Sequence, residues 1–198
     1  MISVYQIKPA FQKALQPILR GLHKAGITAN QITLTAILLS AGLGAMMFAF
    51  PTHRYVLLLL PLGLLLRMAL NALDGMMARQ FQMQSKLGAV LNEVGDVVSD
   101  SMIFLALFNI PSWSLWAVGG FTLLAILNEF CGLLPQALGG ERRYDGPMGK
   151  SDRALLIGLY CILGYFWPSL LAYGNWVLVA AMGLMVLSSG IRLRHAQA

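Results

Sequence analysis

Charged residues are scarce in this 198-residue chain: only 11% are Asp, Glu, Lys or Arg, whereas 58% are hydrophobic. A soluble domain is nearer to about 25% charged, so this composition excludes an ordinary soluble domain and makes nucleic acid an improbable partner. Several apolar runs approach the ~20 residues that a helix needs to cross a bilayer core. The sequence therefore predicts an all-α, polytopic integral membrane protein with no separate globular domain.

Cysteine and histidine are also rare. Cys131 and Cys161 lie singly within apolar segments, and this spacing excludes a disulfide framework and a cysteine-based metal site. The three histidines are far apart in the sequence, so a zinc site with nitrogen and sulfur ligands is not expected. We also expect no cleavable signal peptide, because the first long apolar run begins only near Gln31 and no small-residue cleavage site follows it.

Six apolar segments have the length of membrane spans. They cover approximately residues 31–50, 55–73, 89–108, 113–134, 154–173 and 176–191. All of the fourteen lysines and arginines except Arg54 and Arg67 lie before the first span, after the second, after the fourth or in the tail. Since lysine and arginine collect in cytoplasmic loops, this distribution predicts six transmembrane helices with both termini in the cytoplasm.

Residues 1–30 follow a different pattern. Lysines and arginines alternate there with apolar residues spaced three and four apart, namely Val4, Ile7, Phe11, Leu15, Ile18, Leu19 and Leu22. This pattern favours an amphipathic helix lying on the cytoplasmic leaflet, the alternative being a loosely ordered basic leader. Pro9 and Pro17 are expected to break or kink the helix. The chain thus divides into a juxtamembrane segment, 1–30, and a six-span membrane domain, 31–198.

Half of the eight acidic residues gather in one short stretch, as Asp74, Glu93, Asp96 and Asp100. A charge at membrane depth is costly, so such a cluster indicates a functional site. Helical periodicity places the polar residues on two stripes, one with Arg67, Asn71, Asp74 and Ala78, the other with Asn92, Asp96 and Asp100. The short turn between them makes the two helices antiparallel neighbours, so the stripes can converge on a cavity open to the cytosol.

Converging carboxylates repel one another unless a cation lies between them. Mg²⁺ and Mn²⁺ prefer such oxygen ligands and commonly share their coordination shell with substrate phosphate. Small residues beside the acids, Gly75, Ala78, Gly88 and Gly95, leave room for a ligand, and Arg79 offers a planar pair of donors for phosphate. Helix packing by small residues is the alternative reading.

Residues 71–96 follow the pattern N-x2-D-G-x2-A-R-x8-G-x3-N-x3-D. This pattern resembles the signature of the CDP-alcohol phosphotransferase, or CDP-alcohol phosphatidyltransferase, family, D-x2-D-G-x2-A-R-x8-G-x3-D-x3-D, with every spacing kept. Residues 29–34, ANQITL, also resemble the opening of the family's first span. Asn71 and Asn92 stand where the family has its first and third aspartates. The resemblance covers most of the chain and points to a bacterial inner-membrane subgroup.

The resemblance implies a membrane transferase of phospholipid biosynthesis. Such an enzyme moves a phosphatidyl or other substituted phosphate group from a CDP-linked lipid, such as CDP-diacylglycerol, to an alcohol and releases CMP. The resemblance further implies one or two Mg²⁺ or Mn²⁺ ions, Asp96 as the general base and often a homodimer. The implied metal ligands are Asn71, Asp74, Asn92 and Asp96, with Asp100 or Glu93 compensating for the missing aspartates. The implied CDP-binding residues are Asn30, Thr33, Gly75, Ala78, Arg79 and Gly88.

The basic loop 139–153 faces the same side as the acidic cluster. It could bind a phosphorylated acceptor, such as glycerol phosphate or inositol phosphate, chiefly through Lys150 and Arg153; the alternative is an ordinary cytoplasmic loop. Two further charges, Arg67 and Glu129, lie at membrane depth and are expected to pair with each other, contact with the acceptor being the alternative.

Two other functions remain open. The asparagines at 71 and 92 would also suit a catalytically impaired protein that binds a CDP-lipid without turnover. A small transporter is the second alternative, but it requires polar residues along a path to the far side, and the last two spans have almost none.

Overall fold

The computed structural model describes residues 8–51 and 53–196. Within these ranges the chain is helical and has no strand, so the all-α prediction is confirmed for this part of the protein. The helices there are α1 (Lys8–Lys24), α2 (Ala29–Ala49), α3 (Val56–Gln80), α4 (Lys86–Ala106), α5 (Leu115–Ala137), α6 (Lys150–Phe166) and α7 (Gly174–Ala196), with short 3₁₀ turns at Leu107–Asn109 and Pro168–Tyr173.

Four helical stretches in the described residues are long and apolar enough to cross a membrane: α2, α3, α5 and the stretch Pro168–Ala196 that contains α7. These stretches coincide with four of the six predicted spans. The other two predicted spans fall on α4, which carries three acidic residues, and on α6, which has only 17 residues. Six membrane crossings therefore stay a prediction.

The ends of several helices follow from local sequence. Thr28 and Gln31 form a capping box at the start of α2, and the hydroxyl of Ser85 accepts the Gly88 N–H at the start of α4, so donors that would otherwise lack a partner are satisfied. Helix α3 runs beyond the predicted end of the second span at residue 73 as far as Gln80, so Asp74 and Ala78 of the predicted stripe lie on the same helix. The predicted fifth span is too long, because α6 ends at Phe166, just before Pro168.

The N-terminal helix α1 is continuous through Pro17, and it also includes Pro9 in its first turn. The helix is therefore not broken at either proline, and the alternative of a kink stays a prediction. A proline in the first turn removes an N–H that has no helical partner, whereas Pro17 removes one internal hydrogen bond. On one face of α1, Leu15 and Leu19 are buried against α3. Val4 and Ile7 of the predicted apolar stripe lie outside the described residues.

The remaining helices surround one apolar core. Helix α2 contacts both α3 and α4, α6 lies against α3, and α5 contacts α4 and α7. Leu60, Phe104, Phe121, Ile157 and Leu178 are among the fully buried side chains of this core. On the outer faces many large aliphatic side chains remain exposed, as expected of helices whose surroundings are lipid.

Helices α2 and α4 lie very close together at Gly95. A Cβ atom at this position would be only 2.7 Å from Cδ1 of Ile37, so a larger residue would require the Ile37 side chain to move. This close approach brings the first turns of α2 beside the polar stripes of α3 and α4, and it thereby positions the cavity described next.

Candidate functional site

A cavity of about 390 Å³ opens between the start of α2, the end of α3 and the start of α4. Nine residues that the sequence predicted for the site line it: Asn30, Thr33, Asn71, Asp74, Gly75, Ala78, Arg79, Gly88 and Asn92. The other four predicted residues, Asp96, Asp100, Lys150 and Arg153, are not part of this lining and lie behind it. Of the two predicted stripes, Asn71, Asp74 and Ala78 on α3 and Asn92 on α4 line this cavity, whereas Arg67, Asp96 and Asp100 do not.

Two glycines in the cavity lie close to neighbouring polar side chains. A Cβ atom on Gly88 would come within 2.7 Å of the Asn30 Oδ1 atom and 3.0 Å of the Ser85 hydroxyl. At Gly75, it would lie 3.3 Å from a terminal nitrogen of Arg79. The guanidinium of Arg79 therefore folds back over Gly75, one turn earlier on α3, at the rim of the cavity.

Asp74 is almost fully buried, with 4% of its surface exposed. Its Oδ2 atom accepts a hydrogen bond of 2.8 Å from the hydroxyl of Thr33, and this bond joins α2 to α3. Burying a charged carboxylate is costly unless it is paired or hydrogen-bonded. Thr33 thus holds one oxygen of Asp74 in place beside the cavity.

Asp96 lies one hydrogen bond behind the cavity. Its Oδ1 atom accepts a 2.9 Å hydrogen bond from the side-chain amide of Asn71, and its Oδ2 atom forms an ion pair with Lys150. The backbone carbonyl of Asp96 accepts a hydrogen bond from Arg67. Two predicted residues from distant parts of the chain, Asp96 and Lys150, are therefore brought together.

Asp100, one turn further along α4, lies among arginines. Its carboxylate contacts Arg67 at 2.5 Å and Arg153 at 3.0 Å, and Arg153 has no exposed surface. The predicted pairing of Arg67 with Glu129 is wrong. Arg67 faces the carboxylates of α4, whereas Glu129 on α5 faces Arg153 and Arg142. Glu93, the other residue considered as a compensating acid, forms an ion pair with Arg142.

Sequence spacing did not identify every residue at the site. Gln12 of α1 and Tyr144 of the α5–α6 loop also line the cavity, and the guanidinium of Arg142 lies 4.9 Å from the centre of the Tyr144 ring. These residues come from segments far from the acidic stretch, so no helical periodicity connects them to it. In the sequence, the basic loop 139–153 indicated that this segment lies near the site, but it did not single out Tyr144.

The oxygen atoms at this site suit a hard cation. Asp74, Asp96 and the amides of Asn71 and Asn92 provide carboxylate and carbonyl oxygens, the ligand type of Mg²⁺ and Mn²⁺. Across residues 8–51 and 53–196, however, no group of three or more His, Cys, Asp or Glu side chains is arranged around one point. The donor set therefore fits an ion that completes its coordination with substrate and water rather than an all-protein cage.

Comparison with known proteins gives a consistent result. The family model of CDP-alcohol phosphatidyltransferases matches residues 26–187. The inner membrane protein YnbA of Escherichia coli K12 is 47% identical over 176 residues, covering 88% of this chain and 86% of that protein. A phosphatidylinositol phosphate synthase of Mycobacterium marinum is 26% identical, covering 94% of this chain and 80% of that protein.

Solved structures of a phosphatidylinositol phosphate synthase from Mycobacterium tuberculosis have the same fold. With CDP-DAG bound, that protein superposes with a TM-score of 0.74 at 23% identity, covering 91% of this chain and 92% of that chain. In complex with manganese and citrate it gives a TM-score of 0.75 at 21% identity, covering 92% and 88%. The signature from Asn71 to Asp96, the fold and the match over residues 26–187 lead to one conclusion: this chain belongs to the CDP-alcohol phosphatidyltransferase family and to that class of enzyme.

Proposed function

We propose that the cavity binds a CDP-linked lipid such as CDP-diacylglycerol, and that the enzyme transfers the phosphatidyl group to an alcohol with release of CMP. The observation that carries this proposal is the convergence of nine predicted residues on one cavity, with Asp96 directly behind it. A cavity at the end of the helices lets a diphosphate stay in water while acyl chains remain among the exposed aliphatic side chains. The proposed reaction is therefore a step in phospholipid biosynthesis.

The CDP moiety would occupy the part of the cavity between Asn30 and Arg79. Gly75 and Gly88 allow the backbone to approach the nucleotide closely, and Arg79 offers paired donors to a phosphate. Asn30 and Thr33 present polar groups from α2, and Ala78 leaves space on the same face of α3.

One or two Mg²⁺ or Mn²⁺ ions would be held by Asp74 and Asp96 with the amide oxygens of Asn71 and Asn92. When bound, such an ion polarises the phosphoryl oxygens and stabilises the charge that develops on CMP. We leave Asp100 out of this ligand set, because each of its two carboxylate oxygens already contacts an arginine.

Asp96 is the proposed general base, which would take the proton of the acceptor hydroxyl at a carboxylate oxygen. Its side chain is 16% exposed and forms an ion pair with Lys150. Lys150, 25% exposed, is the proposed contact of the acceptor on this side. Arg153 would act through Asp100 and Glu129 rather than by direct contact, because it is fully buried.

We further propose six membrane crossings in a bacterial inner membrane, with α1 at the cytoplasmic surface and the cavity and both termini facing the cytoplasm. Four segments rich in lysine and arginine meet at the cavity end of the molecule. Gln12 of α1, Ser85 of the α3–α4 turn and Tyr144 of the α5–α6 loop line the same cavity, and His195 of α7 contacts Asp145 of that loop. Lysine and arginine gather on the cytoplasmic side.

The division of the chain at residue 30 and the formation of a homodimer also remain proposals.

The second candidate is a protein that binds a CDP-lipid without turnover. The Asn71 amide donates a hydrogen bond to Asp96, whereas an aspartate at position 71 would require a cation between the two carboxylates. The test supplies purified protein in detergent with CDP-diacylglycerol, Mg²⁺ or Mn²⁺ and a panel of alcohols, and follows CMP. Release that depends on one alcohol supports the transferase, and Asp96→Asn is expected to reduce it at least about a hundredfold. Nucleotide binding without CMP release supports the second candidate. If the protein neither binds nucleotide nor releases CMP, both candidates are overturned and a transporter is favoured.

A further inference from the structure

A second cavity, of about 160 Å³, lies at the end of the molecule opposite to the cavity beside Asp74. It is enclosed by the end of α2, the α2–α3 connection, the start of α3, the turn after α4, the end of α6 and the 3₁₀ turn before α7. Most of its lining is apolar, and its polar members are His53, Arg54 and Asn109. We call this cavity the second pocket.

The walls of the second pocket are held in place by the protein itself. Pro51, Pro111 and Pro168 lie in three different wall segments, and each proline fixes its own φ angle. The indole N–H of Trp113 donates to the Leu171 carbonyl at 3.0 Å and so anchors the 3₁₀ turn. Side chains that face an unfilled space lack dispersion contacts on one side. Because these walls are fixed, a ligand that fills the pocket gains those contacts.

Arg54 is oriented at the pocket by the end of α6. Its Nε atom donates to the Tyr165 carbonyl at 2.7 Å, and one terminal nitrogen donates to the same oxygen. The guanidinium carbon also lies 4.6 Å from the centre of the Tyr165 ring. The other terminal nitrogen takes part in neither bond. A guanidinium that is held in one orientation and retains donors is well suited to bind a phosphate group.

The charge of Arg54 is not balanced by any carboxylate of the pocket. Residues 1–73, 101–128 and 153–198 contain no Asp or Glu, and every residue that lines the second pocket belongs to one of these ranges. An unbalanced cation favours an anionic ligand. The lining also has no carboxylate to accept the ammonium group of a zwitterionic lipid headgroup.

Exposed aromatic residues indicate how deep this end of the molecule lies in the membrane. Tyr55, Trp167, Tyr173 and Trp176 are each 58–74% exposed, and they lie at the start of α3, the end of α6 and the start of α7. Tyrosine and tryptophan concentrate at the level of the lipid headgroups. Arg54 directly precedes Tyr55 in the chain, so we place its guanidinium at the level of the lipid phosphates.

We infer that the second pocket binds an anionic glycerophospholipid from the leaflet at this end of the molecule. The lipid phosphate contacts Arg54, His53 offers a further N–H donor, and the first part of one acyl chain lies against the apolar lining. This site goes beyond the proposed function, because it is remote from the cavity for the CDP-linked lipid and does not require that cavity to be active.

The experiment uses tryptophan fluorescence, because all four tryptophans, Trp113, Trp116, Trp167 and Trp176, belong to segments at this end of the molecule. Trp113 is buried against the pocket wall, whereas the other three are exposed and are replaced by phenylalanine. The full chain is reconstituted in phosphatidylcholine vesicles that contain increasing fractions of phosphatidylglycerol or phosphatidylethanolamine with brominated acyl chains. Bromine quenches the Trp113 fluorescence only from a lipid in close contact.

We expect half-maximal quenching at about a tenfold lower fraction of phosphatidylglycerol than of phosphatidylethanolamine, because a charge-assisted bond to Arg54 is strong. Arg54→Gln is expected to remove this preference. Should that variant not fold, Asn109→Asp keeps Arg54 and adds a carboxylate to the lining, and it is expected to weaken the preference as well. The matched control is Arg20→Gln, which removes one positive charge from an exposed position on α1 and should leave the preference unchanged.

Three results would overturn the inference. The first is equal quenching of the wild-type protein by both lipids. The second is a preference for phosphatidylglycerol that neither Arg54→Gln nor Asn109→Asp reduces, or that Arg20→Gln reduces equally. The third is displacement of brominated phosphatidylglycerol by excess inorganic phosphate, which would assign the pocket to a free anion rather than a lipid. Release of CMP at the opposite cavity is measured separately, so a failure here leaves the proposed function intact.

Discussion

Thr33 is the residue on which the position of Asp74 depends. Its hydroxyl donates to Asp74 at 2.8 Å and also lies 3.2 Å from the backbone carbonyl of Ala29. Both residues are buried, so water cannot take over the lost contact cheaply. Thr33, which lines the cavity from α2, therefore also holds in place the carboxylate of Asp74, a proposed metal ligand.

Replacing this hydroxyl tests that dependence. Thr33→Val should lower the free energy of unfolding by about 1–3 kcal/mol, because Asp74 is left buried with a missing donor. Thermal unfolding in detergent, followed by tryptophan fluorescence, measures the change. Thr35→Val is the control, since the Thr35 hydroxyl bonds only to the carbonyl of Gln31 on the exposed face of the same helix. Equal losses for both variants would contradict the role of Thr33.

Gly88 permits a second test at the same scale. A Cβ atom there would lie 2.7 Å from Asn30 Oδ1, and overpacking of this kind costs about 1–3 kcal/mol. We expect Gly88→Ala to weaken CDP binding, measured by calorimetry, by about tenfold or more. Gly42→Ala is the control, because nothing lies within 4 Å of the added methyl group. Unchanged affinity in Gly88→Ala would show that the nucleotide does not use this part of the cavity.

At the scale of elements, α3 and α4 together form the proposed metal site. Helical periodicity is a local property, so the sequence could predict which residues share a helix face, and Asn71, Asp74 and Asn92 of the two stripes do line one cavity. It could not predict that Asp100, on the same stripe as Asp96, turns to Arg67 and Arg153 instead. Those partners lie on α3 and α6, so residue spacing within α4 cannot predict them.

The α3–α4 pair predicts how the metal affinity should change. Restoring both carboxylates in the double variant Asn71→Asp, Asn92→Asp should raise the affinity for Mn²⁺ by about tenfold or more, because affinity rises with the number of charged ligands. Electron paramagnetic resonance of free Mn²⁺ gives the affinity and the number of ions independently of activity. Asn109→Asp, on the 3₁₀ turn beyond α4, adds one carboxylate away from the cavity and should leave the affinity unchanged. If the double variant binds Mn²⁺ no better than the wild type, the proposal that the metal ion binds at these asparagines is contradicted.

At the scale of the whole molecule, the open question is which ends of the helices face the cytoplasm. The cavity, the α3–α4 turn and the α5–α6 loop lie at one end, and the α2–α3 connection with His53 lies at the other end of α3. Single-cysteine variants in a background without Cys131 and Cys161 test the orientation. In cells with a permeabilised outer membrane, an impermeant thiol reagent should label His53→Cys and not Lys86→Cys. The reverse result would place the cavity on the periplasmic side.

The sequence by itself determined the helical membrane class, the family and the spacing of the cavity residues, because composition and helical periodicity are carried by neighbouring residues. Only the tertiary structure decided the ionic partners. Lys150 meets Asp96, and Arg153 meets an aspartate 53 positions away, because the start of α6, which packs on α3, comes within side-chain reach of α4. The partner of a buried charge depends on which opposite charge the whole fold brings close to it. The distance between two such charges cannot be predicted from a local sequence pattern.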